Sequence, residues 1–183
     1  GNEYTERNQG EEQLAASTAM FASIVAKTEG IKSVLEIGAN RGINLLALKH
    51  LLPGANFSAV EINKVAAGIL KKLGFIKVYH TSVLEFEPDY QRDLVFSCGV
   101  LIHINPDMLN KVYQALYQSS RRYICIAEYY NPFPVEVDYR GESGKLFKRD
   151  FAGDMLDTFN DLSLIDYGFT YHRDSNFLYD DIN

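Results

Sequence analysis

The chain has 183 residues, 46% of them apolar, and a formal net charge of −6 with an isoelectric point near 5.2. That length supports one domain with a sizeable core, and that apolar content excludes wholesale disorder. The acidic balance argues against broad contact with nucleic-acid phosphates, which clustered Lys and Arg would drive, and no apolar run approaches a membrane span in length.

After a polar start, Leu14, Thr18, Phe21 and Val25 recur at helical spacing, and Gly30 closes that first helix. Residues 33–37 read as a strand, 43–52 as a helix stopped by Pro53-Gly54, and 56–60 as a second strand followed by Glu61. A helix over 64–73 ends at Gly74, and a third strand follows over 75–80. Residues 93–98 are nearly all apolar and read as a fourth strand. A helix over 107–119 carries Leu109, Val112 and Leu116 on one face, and 122–127 is a fifth strand. Pro132, Pro134, Gly141 and Gly144 make 131–146 an irregular insertion. A helix over 150–159 and a sixth strand over 162–171 complete the pattern. Apolar strands alternating with helices predict an α/β fold of the Rossmann-like, doubly wound type, its mostly parallel sheet covered on both faces. Cys98 and Cys125 are too few for a disulfide scaffold and each lies in a strand-like run, so both read as reduced core residues of a cytoplasmic protein.

The segment Glu36-Ile37-Gly38-Ala39-Asn40-Arg41-Gly42 leads from strand to helix through two glycines four apart. Glycines there let the backbone approach a ligand, and the helix start offers N–H groups. The spacing lacks the Gly-x-Gly-x-x-Gly of nicotinamide dinucleotide sites, because Asn40 and Ile43 stand where the later glycines belong. An acid before Gly-x-x-x-Gly resembles instead the first motif of class I methyltransferases that use S-adenosylmethionine. Ligands of such sheets bind at the carboxyl ends of the strands. That rule selects Gly38 to Gly42, Glu61, Thr81 to Leu84, Ser97 to His103 and Glu128 to Asn131. Glu61, 23 residues after Gly38, has the acceptor oxygens to hold both hydroxyls of a ribose; as a lone acid it would read as a cap or a solvated charge. Ser82 stands where many class I methyltransferases place an Asp that binds the adenine amino group. The resemblance thus implies a cofactor side made of Glu36, Gly38, Ala39, Asn40, Gly42, Glu61, Ile62, Ser82, Val83, Leu84, Cys98 and Gly99.

The segment from Asp93 to Ile104 resembles the fourth-strand motif of small-molecule methyltransferases, with His103 just past the strand. Five stretches sharpen the likeness: Gly1 to Asn8, Gly99-Val100-Leu101-Ile102-His103-Ile104-Asn105-Pro106, Glu128-Tyr129-Tyr130-Asn131-Pro132, Tyr139-Arg140-Gly141 and Lys145 to Gly153. They resemble the methylases associated with pseudaminic acid biosynthesis, over nearly the whole chain. The resemblance implies one methyltransferase domain over 1–183, with a helical segment over 1–30 and an acceptor-side insertion over 129–149. It implies methyl transfer from S-adenosylmethionine, leaving S-adenosylhomocysteine, to a sugar or nucleotide-sugar acceptor of the nonulosonic acid pathway. It does not fix the acceptor, the methylated atom or the oligomeric state. A methyltransferase for another small metabolite or a glycosylated protein, and a non-catalytic cofactor-binding protein of the pathway, are the alternatives.

The residues of the insertion agree in kind. Tyr129, Tyr130, Phe133 and Tyr139 offer flat faces to a sugar ring or a sulfonium. Arg140, Lys145, Lys148 and Arg149 place four of 18 basic residues within ten positions, suited to a sugar carboxylate or a phosphate, or else to a solvated face partnered by Glu142 and Asp150. The candidate acceptor-binding residues are Tyr130, Asn131, Tyr139, Arg140, Lys148 and Arg149. The sulfonium is already activated, so the protein positions reactants and excludes water. A hydroxyl acceptor needs a base: His103 first, with Glu128 or His172 next. The candidate catalytic set is His103, Glu128 and Tyr129, and no metal cluster of convincing spacing is present. Two expectations concern the ends: with no initiator Met, the chain has lost upstream residues, and it stops inside its last strand because 177–183 is polar and short.

Overall fold

The computed structural model describes residues 10–138, 141 and 144–183. Tyr139 and Arg140 lie outside the described residues, as do the first nine residues. Five apolar runs form one parallel sheet: β1 (Ser33–Ile37), β2 (Asn56–Val60), β3 (Ile76–Tyr79), β4 (Arg92–Cys98) and β5 (Ser120–Ala127). Their order is β3-β2-β1-β4-β5. β1 is buried throughout, with Val34 to Ile37 set between Phe57 to Val60 on one side and Leu94 to Ser97 on the other. The chain reverses its direction of winding there, and β1 and β4 flank the switch point at which such sheets bind ligands.

Helices cover both faces. α1 (Glu11–Val25), α2 (Ile43–Leu51) and α3 (Lys64–Lys72) bury Met20, Phe21, Leu45, Leu48 and Leu70 on one face, where Phe21 meets Phe96 edge-on at 5.0 Å. α4 (Leu109–Ser119) and α5 (Phe151–Thr158) bury Val112, Tyr113, Leu116, Phe151 and Met155 on the other. Short polar side chains start the helices by accepting orphan N–H groups. Asn63 Oδ1 takes Val65 N and Ala66 N, and Asp150 Oδ1 takes Gly153 N. A 3₁₀ turn at Pro106–Met108 precedes α4, where a continuous helix is expected.

Two expectations need correction. Residues 131–146 are not wholly irregular: β6 (Val135–Glu136) and β7 (Phe147–Lys148) pair as a small antiparallel ribbon. Residues 162–171 form no strand. Leu164, Ile165, Tyr167, Phe169 and Tyr171 have a strand's apolar content, but their side chains stay exposed, Tyr167 at 81%. Alternation becomes a strand only when a neighbour takes the backbone bonds. Here the segment bonds to Phe159 through Leu162 N and to Ile182 through Thr170 N, not to the sheet. Asn183 alone reaches that edge, exchanging two backbone bonds with Glu128 at 3.0 and 3.1 Å.

At the foot of the sheet the buried Asp93 ties three elements. Its Oδ2 accepts from Lys32 N, Ser33 N and Ser33 Oγ at 2.8–3.1 Å, and its Oδ1 from Arg121 Nε at 2.7 Å. Burial pushes its carboxyl up, and these donors more than offset it, holding the group below the ordinary carboxylate value. Asp93→Ala leaves buried N–H groups unmet, and urea unfolding is expected to show a loss of about 2–4 kcal/mol. A loss within experimental error would show that Asp93 is dispensable.

Candidate functional site

The glycine loop is shaped by its neighbours before any ligand is considered. Gly38 N and Ala39 N both donate to Val60 O, at 2.8 and 3.2 Å. Gly38 and Gly42 have φ of 72° and 82°, and Asn40 between them has 46°. A Cβ on Gly38 would stand 2.6 Å from Val100 Cγ2, and one on Gly42 2.6 Å from Leu70 Cδ2. The glycines therefore admit the protein's own side chains as well as offering backbone to a ligand.

Glu61 clasps this loop. Its Oε2 accepts from Asn40 N at 2.7 Å and its Oε1 from Asn63 N at 2.6 Å. Each oxygen keeps a second lone pair, so the carboxylate holds the loop and retains capacity for hydroxyl donors. Ile62 beside it is 68% exposed, an apolar surface at the rim. Ser82 Oγ accepts from Leu84 N at 3.2 Å, capping the turn after β3, and Val83 and Leu84 pack against the core.

Glu36 is 1% exposed. Its Oε1 accepts from Asn44 Nδ2 at 2.8 Å, while its Oε2 is buried without a hydrogen-bond partner. Burial drives its carboxyl well above the ordinary value, against the Asn44 bond, and the charge of Glu61 adds to the rise. Ser17 Oγ on α1 donates to Asn44 Oδ1 at 3.1 Å, and the Tyr179 hydroxyl lies 3.4 Å from both Asn44 Oδ1 and Cys98 Sγ. Burial holds the Cys98 thiol and the Tyr179 phenol above their usual values. The sequence reading missed Ser17, Asn44 and Tyr179. Only Asn44, two residues past Gly42 on the helix, carried a signal: a polar side chain on a helix face turned to the sheet.

Past β4, Gly99 N donates to Ala127 O at 3.0 Å and a 3₁₀ turn runs over Leu101–His103. Glu128 lies beneath it, 2% exposed. His103 is exposed, with Nδ1 3.0 Å from Lys145 O. A carbonyl only accepts, so in this contact Nδ1 is the donor. Lys145 comes from the insertion, so the ring bridges the sheet's rim and the cover. His172, the other candidate base, pairs with Asp181 at 2.8 Å in the C-terminal segment.

Two of the cover's described basic residues, Lys148 and Arg149, have protein partners. Lys148 Nζ lies over the Tyr129 ring at 5.0 Å. Arg149 Nε pairs with Asp154 Oδ2 at 2.7 Å, and the Tyr113 hydroxyl donates to the same oxygen at 2.9 Å. Arg149 thus has Asp154 on α5 as a partner, and Glu142, expected to face this basic cluster, lies outside the described residues. Asn131 N donates to Arg149 O at 3.4 Å, and Tyr130 and Phe133 are exposed. Among the described residues no group of three or more His, Cys, Asp or Glu is placed to hold a metal ion, and no helix is long and apolar enough to cross a membrane.

No protein-family model matches this sequence, and no curated protein is detectably similar to it. Solved structures are similar in fold. The 1,6-didemethyltoxoflavin-N1-methyltransferase of Burkholderia thailandensis, with 1,6-didemethyltoxoflavin and S-adenosylhomocysteine bound, superposes with a TM-score of 0.61 at 16% identity over 80% of this chain and 66% of its own. The sugar N-methyltransferase KedS8 from Streptoalloteichus gives 0.58 at 18% identity, over 78% and 62%. The plantazolicin methyltransferase BpumL, in complex with a pentazolic desmethyl analogue of plantazolicin and S-adenosylhomocysteine, gives 0.56 at 19%, over 70% and 51%. The chain therefore has the fold of these methyltransferases and spans about half to two thirds of their length.

One pH dependence follows from Glu128. Burial pushes its carboxyl from 4.5 up to about 7, against hydrogen bonds from Leu101, Val100 and Ser97. A raised carboxyl favours folding while protonated, so that contribution is full below about 4.5 and is lost as pH rises to about 7. Over that window the native protein is expected to lose up to about 3 kcal/mol that Glu128→Gln does not lose. Urea unfolding of both proteins at several pH values checks this, and parallel curves would show that Glu128 contributes no such dependence.

Proposed function

We propose that this chain transfers a methyl group from S-adenosylmethionine to a small sugar-type acceptor linked to nonulosonic (pseudaminic) acid biosynthesis. In this reading it acts in the cytoplasm as one methyltransferase domain over 1–183, without nucleic-acid or membrane partners. The observation that carries the cofactor half is Glu36 Oε2, a buried acceptor with no hydrogen-bond partner below the glycine loop, at the switch point of a methyltransferase fold. A buried carboxyl of that kind suits an ammonium group such as the cofactor's amino-acid end carries.

The residues fit the rest of the cofactor. Glu61 has lone pairs for the ribose hydroxyls, and Ile62, Val83 and Leu84 offer apolar surface to the adenine with Ser82 Oγ as a polar contact. Ala39, Asn40, Cys98 and Gly99 line the loop and the end of β4. The cofactor's sulfonium supplies an already activated methyl group. What remains for the protein is positioning, exclusion of water and removal of one proton. His103 takes that proton as the general base, its ring held by the contact of Nδ1 with Lys145 O. Tyr129, Tyr130, Asn131, Tyr139, Arg140, Lys148 and Arg149 form the acceptor side. A sugar acceptor is favoured by the aromatic and basic content of that cover, and the sugar N-methyltransferase among the fold's neighbours is compatible with it.

Calorimetry is expected to show binding of S-adenosylhomocysteine and none of NAD. Glu61→Ala, which removes the loop clasp and the hydroxyl acceptors, should weaken binding by about 1–3 kcal/mol. An unchanged affinity would remove Glu61 from the cofactor site. Labelled cofactor with a panel of nonulosonic acids, their nucleotide-activated forms and their precursors, read by mass spectrometry, tests the acceptor; methylation confined to an unrelated metabolite would overturn the sugar assignment.

The cover should also move. Residues 129–149 lead from the end of β5 to the start of α5 through a ribbon of two-residue strands, with Tyr130 and Phe133 exposed. Hydrogen exchange is expected to be fast there in the free protein and slow with cofactor and acceptor bound. Uniformly slow exchange without ligands would rule out a moving cover.

A further inference from the structure

We propose that Glu128 is a positioning residue: its carboxylate ties the turn that carries His103 to the ends of β4 and β5, and so sets the aim of the His103 ring. This rests on the reading of His103 as the proton acceptor. Oε1 of Glu128 gathers three donors: Ser97 Oγ at 3.0 Å, Val100 N at 3.0 Å and Leu101 N at 3.1 Å. The last two N–H groups open the 3₁₀ turn that ends at His103. Val100, at the cap position of that turn, has no side chain able to cap it. The carboxylate, arriving from the next strand, does that work. The backbone of Glu128 is itself held by its two bonds to Asn183.

A neutral side chain would cap the turn without bringing a charge into the sheet. A carboxylate makes the three bonds charge-assisted, about twice as strong as neutral ones. Its second oxygen, buried without a hydrogen-bond partner, is where a proton settles. Protonation leaves Oε1 as an ordinary carbonyl oxygen and loosens the turn without breaking it. Burial brings that titration up to about pH 7. The other ionisable groups that sense Glu128 are Cys98 on β4, Cys125 on β5 and Tyr113 on α4. Burial raises all three, Cys125 to about 12, so each is neutral near pH 7. A titration felt by the Val100 and Leu101 amides near neutrality is therefore assigned to Glu128, and the Glu128→Gln and His103→Gln variants check that assignment.

The test is a pH series of amide nitrogen–proton spectra on the isotope-labelled full chain. The Val100 and Leu101 amide proton signals should move downfield as pH rises through about 7, should do so equally in His103→Gln, and should stay still in Glu128→Gln. Static signals in the native chain, or a step that survives Glu128→Gln, would overturn the tie. Should Glu128→Gln fail to fold, the native and His103→Gln series decide, because a step lost with His103 overturns the assignment. The positioning role has a second readout. Diethylpyrocarbonate at mildly alkaline pH should modify His103 severalfold faster in Glu128→Gln than in the native chain, with His50, His80 and His172 as internal references. An unchanged His103 rate would reduce Glu128 to a purely structural group. Neither measurement uses a methyl acceptor, so failure of the methyl-transfer reading would leave this result standing, and the converse holds.

Discussion

The burial of β1 between β2 and β4 is the constraint from which the site follows. Val34 to Ile37 pair on both sides, so no side chain of the strand has room to swing and its direction is fixed. The chain leaves β1 at Gly38 and must turn at once into α2. It does so by giving two successive N–H groups to one carbonyl, Val60 O. That turn needs left-handed backbone at three positions within five residues. It also needs Gly38 and Gly42 bare, because Val100 and Leu70 fill the space beside them. The glycine loop thus arises from packing alone, and the end of β4 arrives beside it because β4 is the other neighbour of β1.

Buried carboxyl groups then mark the two ends of the sheet differently. At the foot, Asp93 receives backbone, hydroxyl and guanidinium donors and is held ionised. At the rim, Glu36 and Glu128 each have one oxygen bonded and one without a hydrogen-bond partner, and burial favours their protonated forms. The foot is electrostatically settled and the rim is not. An unsettled buried group costs stability and persists where something other than folding uses it. The same contrast separates Glu61, both of whose oxygens accept from the backbone, from Glu36 at the adjacent strand end.

Much of this was legible in the chain. Apolar runs of strand length, broken by Pro53-Gly54 and Gly74, gave five strands and their helices because parallel strands covered on both faces must be apolar throughout. The glycine spacing and Glu61 located the loop and its clasp. Residues 162–171 misled because alternation is a property of a segment, whereas a strand is a property of a pair. Tyr179 was silent for a related reason. Its contact with Asn44 joins positions 135 residues apart, and nothing local distinguishes a phenol that reaches a half-buried amide from one that faces water. The orienting partner of His103 is a backbone carbonyl, which has no residue-type signature at all.

In the proposed reading, the cofactor and acceptor halves of the site rest on different physics, and this separates what each can vary. The cofactor half is made by strand ends, backbone groups and buried carboxyls, all coupled to the core, so a change there costs stability. The acceptor half hangs from a ribbon of two-residue strands and is steadied by pairs with protein partners, Lys148 on Tyr129 and Arg149 on Asp154. Those cations reach a ligand anion by exchanging a protein partner for it, a trade small in energy for partly exposed groups. Acceptor choice therefore follows from which pairs the cover gives up on binding, and it can shift by substitutions that leave the sheet untouched. His103 stands at the join, its turn fixed by Glu128 from the sheet and its ring by Lys145 from the cover. In the proposed reading, closure of the cover and the aim of the base are thereby one event.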